Sequence, residues 1–190
     1  MVQNSKKETI AVVAGDLEAA HKKGVEICRK ISEVEIPEIA DIVVTSPGGF
    51  PRDINLYQSQ KAVSVAEKIV KKGGVIILVA ECRNGIGGSN FTEWMKQANS
   101  PKEVIEHFKK EGFLVGSNKA FMFARALTKS KIIVLTDNIS KKYLNDIFML
   151  KAKSLTEAVN MAFKIKGKDS KILFLPNAIG VIPKLKGVNK

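Results

Sequence analysis

The sequence predicts an α/β fold, a layered and mostly parallel sheet flanked by helices. Three observations predict it. Short runs rich in β-branched residues recur at 42–45 (IVVT), 75–80 (VIILVA) and 131–136 (KIIVLT), as expected of strands covered on both faces. Between the first two, Leu56, Val63, Ala66 and Val70 repeat at helical spacing. Two buried strands joined by a helix make a βαβ unit, whose right-handed crossover requires the strands to be parallel. With 190 residues, 45% of them hydrophobic, the chain is long enough to bury a core, so one domain over 1–190 is expected, with a possible helical subdomain over 90–130.

The elements follow in order. The stretch 9–14 (TIAVVA) reads as a strand, with Asn4-Ser5-Lys6-Lys7 as a hairpin turn and Val2 as the tail of an earlier strand. A chain that starts inside a hairpin is expected to be a domain excised from a longer two-domain protein. Gly15-Asp16 opens a helix to about Ile31, with Leu17, Ala20, Val25, Cys28 and Ile31 near one stripe. The alternation in 32–37 (SEVEIP) predicts a strand. Asp53 is placed to cap a helix over 54–72, which Gly73-Gly74 ends. One amphipathic helix is predicted over 91–112, with Pro101 in a first turn and Trp94, Val104, Ile105 and Phe108 packing. Ser117 is expected to cap a helix to about Thr128 that turns Phe121, Ala124 and Leu127 inward. Ser140 caps a short helix through Asp146, and Ser154 with Glu157 forms a capping box before a helix through Lys166. The run 171–175 (KILFL) is read as the last strand, and the tail 183–190 as frayed.

Composition narrows the function classes. The net charge of +12 raises nucleic acid as a partner, but four of the 31 basic residues are arginine and the lysines are scattered over helix faces, so no nucleic-acid partner is expected. No apolar run approaches the ~18 residues of a membrane span, and the polar start VQNSKK is unlike a signal peptide, so no membrane partner is expected and a cytoplasmic location is. Cys28 and Cys82 lack metal-ligand spacing and read as buried thiols. His21 reads as a structural histidine on a helix flank, and His107, among Glu103, Glu106 and Lys110, as part of a solvated face. No Ser-His-Asp, Cys-His, HExxH or CxxC arrangement is present, so neither metal ligands nor acid–base catalysts are expected within this chain.

The chemistry-bearing stretch is 41–61, DIVVTSPGGFPRDINLYQSQK. A buried strand stops at a Pro- and Gly-rich loop containing Gly48 and Gly49, and a helix N-terminus follows, an arrangement that favours an anion. Asn55, Gln58 and Lys61 recur every three residues on a non-apolar face, bringing a cation and an amide to the helix dipole; the same spacing also suits an ordinary solvated face. A second loop, 81–89 (ECRNGIGGS), leaves the next strand at the same carboxyl edge. There Arg83 is suited to a carboxylate and Asn84 and Ser89 to a hydroxyl, while Ser89 equally suits a helix cap. Gly85-x-Gly87-Gly88 lacks the GxGxxG spacing of a dinucleotide fingerprint. Asn177, after the last strand, is a further candidate for this cleft.

The run SPGGFPRDINLYQSQKAVSVAEKIVKKGGVIILVAECRNGIGG resembles the C-terminal domain of the nickel-dependent lactate racemase family. Three further segments are similar to that family's pattern in the same order: AGDLEAAHKKGVE, GSNKAFMFARAL and PNAIGVIP. The resemblance implies an isomerase, a racemase or epimerase of lactate-like 2-hydroxy acids working by reversible hydride transfer to a nickel-pincer nucleotide. It implies that an N-terminal domain absent from this chain holds that cofactor and supplies two histidines, with Gln58 and Lys61 contacting the substrate from this side; the isolated domain is then expected to be inactive. The chain departs from the pattern near Asn118, where the family often has a histidine or an aromatic residue, which leaves open whether lactate is the substrate. The alternative is a stand-alone α/β module that binds a small anion without catalysis.

Overall fold

The structure is a computed structural model that describes residues 1–4 and 6–187. In chain order its elements are β1 (Val2–Gln3), β2 (Thr9–Ala11), α1 (Leu17–Ser32), β3 (Glu33–Ile36), β4 (Ala40–Thr45), α2 (Leu56–Ile69), β5 (Val70–Val79), α3 (Ser89–Gln97), α4 (Pro101–Glu111), α5 (Ser117–Lys129), β6 (Ser130–Leu135), α6 (Lys141–Asp146), β7 (Leu150–Ala152), α7 (Leu155–Lys166), β8 (Ile172–Leu175) and β9 (Ile182–Leu185). They fall into two compact units, Met1–Glu38 with the chain from Gly180 onward, and Ile39–Ile179.

The larger unit is built on a five-stranded sheet in the order β7-β6-β5-β4-β8, parallel throughout. Each apolar run expected to be covered on both faces is so covered: Ile42, Val43, Ile76, Ile77, Ile132 and Ile133 are fully buried. Alternation sends Ile42, Val75, Ile77 and Ile133 to the face where α7 packs Ala158 and Ala162. The other face is covered by α2 and α5, which also pack on each other, and α3 and α4 stack outside α5. Burying Leu56, Val63, Ala66, Phe123 and Ala124 completely is what holds these helices in place, at about 25 cal/mol per Å² of apolar surface removed from water. The strand order reverses direction at β4, which has β5 on one side and β8 on the other. Because the strands are parallel, the loops leaving the carboxyl ends of β4, β5 and β8 gather at one edge of the sheet.

Several boundaries differ from the sequence reading. Helix α2 ends at Ile69, not at Gly73-Gly74, and the chain passes directly into β5. Gly74 serves the sheet instead: a Cβ on it would stand 2.6 Å from the Asp41 carbonyl oxygen, so this close strand approach excludes any side chain, while Gly73 takes a φ of +73°. The single helix expected over 91–112 is two, because Ser100 accepts a hydrogen bond from the Glu103 N–H (3.3 Å) and starts α4 with Pro101 next to it. Gly116, at φ +94°, rather than Ser117 precedes α5, and Ser117 turns inward to exchange hydrogen bonds with Leu114. The fully buried residues of α5 include Ala120, Phe123 and Ala124, whereas Phe121 and Leu127 are half-buried. His107 is half-buried rather than solvated, its ring stacked on Trp94 at 4.2 Å. Strand β7 had no signal beyond three residues, while Ser140 and Ser154 cap as expected, accepting from the Tyr143 and Glu157 N–H groups.

The smaller unit contains the expected hairpin, with Val2 opposite Ala11; Ser5 of its turn lies outside the described residues. Asp16 caps α1, accepting from the Glu18 and Ala19 N–H groups. The stripe along α1 is not covered within the unit, for α1 has no buried residue and Leu17 is 86% exposed. Residues 183–185 of the tail expected to fray belong to β9, which runs parallel to β3 from Glu33 opposite Ile182 to Ile36 opposite Leu185; the last residues of that tail, 188–190, lie outside the described residues. No helix among the described residues is long and apolar enough to cross a membrane.

Candidate functional site

The loop after β4 and the loop after β5 are laced together by their backbones. Cys82 N–H donates to the Asp53 carbonyl (2.9 Å), Asn84 N–H to Ile54 (2.8 Å), Leu56 N–H to Gly85 (3.0 Å) and Tyr57 N–H to Ile86 (2.9 Å). Two of the N–H groups that a helix N-terminus leaves unpaired, those of Leu56 and Tyr57, are thus satisfied by the second loop. The cap of α2 is Asn55, not Asp53: its Oδ1 accepts from the Gln58 N–H at 2.9 Å. Asp53 is buried and joins the loops, its Oδ2 accepting from the Glu81 N–H at 3.2 Å, while its Oδ1 has no hydrogen-bond partner.

Close approach explains Gly87 and Gly88 of the second loop. A Cβ on Gly87 (φ +68°) would stand 2.5 Å from the Asn55 Nδ2, and one on Gly88 (φ +68°) 2.7 Å from the Tyr57 ring. The start of α2 therefore rests on the Gly87-Gly88 backbone. Helical side chains lean toward the N-terminus, so Gln58 and Lys61 lean toward these loops, and the Lys61 ammonium donates to the Gln58 Oε1 at 2.9 Å. Gln58 is half-buried and Lys61 exposed, leaving the ammonium open to a ligand.

The remaining candidates have distinct places. Gly48 and Gly49 both take positive φ, and Gly48 lies against Asn177 after β8, whose Oδ1 accepts from the Arg52 guanidinium at 3.1 Å. Three loops at one sheet edge are thereby connected. Arg83 already has partners, the Glu81 carboxylate at 2.9 Å and the Phe50 ring, 4.5 Å from the guanidinium to its centroid. Asn84 has an exposed side chain, and Ser89 begins α3 without capping it, Gly88 preceding the helix instead. Glu81 is anchored in turn, its carbonyl accepting from the Thr136 hydroxyl (2.6 Å) and the Asn138 amide (2.8 Å).

Two residues that sequence reasoning did not single out stand beside Gln58 and Lys61. Tyr57 is half-buried, its ring edge-on to Phe91 at 6.2 Å. Lys119 of α5 reaches over that ring, 5.5 Å from its centroid, and donates to the Gln60 Oε1 at 2.9 Å. Burial, then the Lys61 charge, holds the Lys119 ammonium below the ordinary lysine range. Tyr57 had a signal in its place between Asn55 and Gln58, but Lys119 comes from an element 58 positions beyond Lys61 and had none. Behind the loops, Cys82 is a buried thiol as expected, pushed up to about 11 by burial. Cys28 is half-buried.

The model of the lactate racemase C-terminal domain matches residues 36–183. The chain belongs to that family. It is 40% identical over 185 residues to a lactate racemase of Thermoanaerobacterium thermosaccharolyticum, covering 96% of this chain and 43% of that protein. It is 33% identical over 187 residues to a lactate racemase of Lactiplantibacillus plantarum, covering 97% and 44%. The solved lactate racemase apoprotein from T. thermosaccharolyticum superposes with a TM-score of 0.90 at 39% identity, over 96% of this chain and 44% of that one. A Thermotoga maritima protein shares the fold at a TM-score of 0.61 and 12% identity, over 89% and 42%. The chain thus spans less than half the length of the lactate racemases it matches. Within this lactate racemase C-terminal domain, the laced loops and the α2 N-terminus make up one edge of the sheet, and residues 46–61 and 81–88 both lie inside the matched span.

Proposed function

We propose that this lactate racemase C-terminal domain forms the substrate side of a 2-hydroxy acid racemase or epimerase. The observation that carries the reading is the joining of Gln58 and Lys61 to the Gly87-Gly88 loop through Asn55 and Tyr57 at the carboxyl edge of a parallel sheet. In this reading the Lys61 ammonium pairs with the substrate carboxylate and Gln58 orients it, the Lys61–Gln58 hydrogen bond holding both ready. Arg83 is not assigned to the substrate, since Glu81 and Phe50 already engage it. Asn55 is assigned to shaping the loops, its side chain being spent on the helix cap.

The family resemblance adds a nickel-pincer nucleotide as hydride acceptor, held by an N-terminal domain that is this chain's partner. Among the described residues no three His, Cys, Asp or Glu side chains gather as a metal site, so the donor set here does not fit such a group and no step is routed through it. The decisive experiment combines this chain with the cofactor-loaded N-terminal half of a lactate racemase and follows racemisation of 2-hydroxy acids. The reading predicts activity that neither part has alone and a fall of about 100-fold or more for Lys61→Ala. Full activity of Lys61→Ala would overturn the site assignment.

A further inference from the structure

The site holds more positive charge than one carboxylate can match. Lys61 and Lys119 interact electrostatically, and the hydrogen bonds of both ammoniums go to neutral amides, Gln58 Oε1 and Gln60 Oε1, at 2.9 Å each. Neither is in an ion pair with a carboxylate among the described residues. Some basic residues of the same unit do have a carboxylate partner, Lys71 in Asp41 (3.1 Å), Arg83 in Glu81 (2.9 Å) and Arg125 in Glu67 (2.8 Å), while others, such as Lys129 and Lys151, donate to backbone carbonyls. Lys119 is also half-buried, where an ammonium without a counter-charge is most costly. Its carboxamide partner Gln60 is 1% exposed and the Tyr57 ring lies under it, so its position is determined by packing rather than by solvent.

We infer that Lys119 is a specificity-determining residue of this site, the second ammonium of a two-cation pocket that takes a 2-hydroxy acid carrying a second anionic group. This inference rests on the proposed role of Lys61. A carboxylate on Lys61 leaves the Lys119 charge unmatched, and a second carboxylate or a phosphate on the same ligand, reaching across Tyr57, neutralises it. A ligand with an apolar tail leaves it unmatched. Lactate-type acids are then the weaker ligands and hydroxy-dicarboxylates the stronger.

The test is calorimetric titration of the chain with lactate and with malate, at low ionic strength and again in 0.5 M salt. Malate is expected to bind about tenfold more tightly at low salt, a difference of the size a partly desolvated ion pair supplies, and the gap is expected to shrink in high salt. Lys119→Met is expected to bring the malate-to-lactate ratio to about one, chiefly by weakening malate, and Lys119→Arg to keep most of the preference. Lys61→Met is expected to weaken both acids. A Lys119→Met variant with a lowered melting temperature and an unchanged ratio would mean that Lys119 only braces Gln60, and would overturn the inference. Equal affinity of the wild-type chain for the two acids overturns it without any variant. If both acids bind equally and Lys61→Met abolishes both, the proposed function stands and this inference falls; if neither acid binds, both fall.

Discussion

Replacing Gly87 by alanine tests the contact that joins the two loops. The backbone at Gly87 has φ +68°, where an L-residue costs about 1–2 kcal/mol. The new methyl group would also stand 2.5 Å from Asn55 Nδ2 and 2.6 Å from its Cγ, so the side chain must leave and its hydrogen bond from the Gln58 N–H is lost, at about 1 kcal/mol. The sum is about 2–3 kcal/mol. Gly85→Ala is the control, since Gly85 has nearly the same φ of +66° with no atom within 4 Å of the added Cβ, and should cost only about 1–2 kcal/mol. In an Asn55→Ala background the cap is already gone, so Gly87→Ala should cost about 1 kcal/mol less than in the wild type. Urea unfolding followed by the fluorescence of Trp94, the sole tryptophan, reports on the unit that holds these loops. Equal losses for Gly87→Ala and Gly85→Ala, together with additive effects of Gly87→Ala and Asn55→Ala, would refute the contact.

Further expectations concern charge, thiols and the site. Hydrogen bonds from Lys71 and from the Lys171 N–H hold the Asp41 carboxyl below its ordinary value of 3.8. A folded-state value depressed in this way gives stability that is present above 3.8 and lost as the pH falls through the lower folded value, so Asp41→Asn should destabilise at neutral pH and converge with the wild type in acid, as followed by urea midpoints. The Cys82 thiol, pushed up to about 11, is almost wholly protonated at pH 8 and fully buried, so a thiol reagent should modify Cys28 first, with Cys82 reacting only on unfolding; prompt modification of both by mass spectrometry would contradict its placement. Because an acidic group raised in the folded state favours folding less as the unfolded thiol ionises, stability should also decline above pH 9. Arg83→Met should change hydroxy acid affinity by less than about twofold, since Glu81 and Phe50 already occupy the guanidinium; a tenfold loss by calorimetry would return Arg83 to the substrate.

The parallel sheet was legible because its strands are dense apolar runs, and a strand buried on both faces admits little else. Element ends were less legible wherever a tertiary contact outweighs a local signal. Gly73-Gly74 look like a helix stop, yet Gly74 is needed for a close approach to Asp41 that only the paired strand reveals. Asp53 looks like a helix cap, yet its carboxylate is drawn to the Glu81 N–H of another loop, and Asn55 caps instead. Strands β7 and β9 were missed because they are 3 and 4 residues long and exist by pairing with β6 and β3. The loop glycines, Gln58 and Lys61 could be proposed as candidates from spacing and resemblance. Lys119 could not, for its relation to Tyr57 and Gln60 is made by packing α5 against α2.

The most direct test of the account is to map, by amide and side-chain chemical shifts, where a 2-hydroxy acid touches the chain. The account predicts that titration with malate perturbs Gly48, Gly49, Gln58, Lys61 and Gly87 together, with one affinity, and that Lys61→Met removes those shifts while leaving the rest of the spectrum in place. Shifts confined to α1 and the β1–β2 hairpin, or shifts at the loop edge that persist unchanged in Lys61→Met, would contradict it.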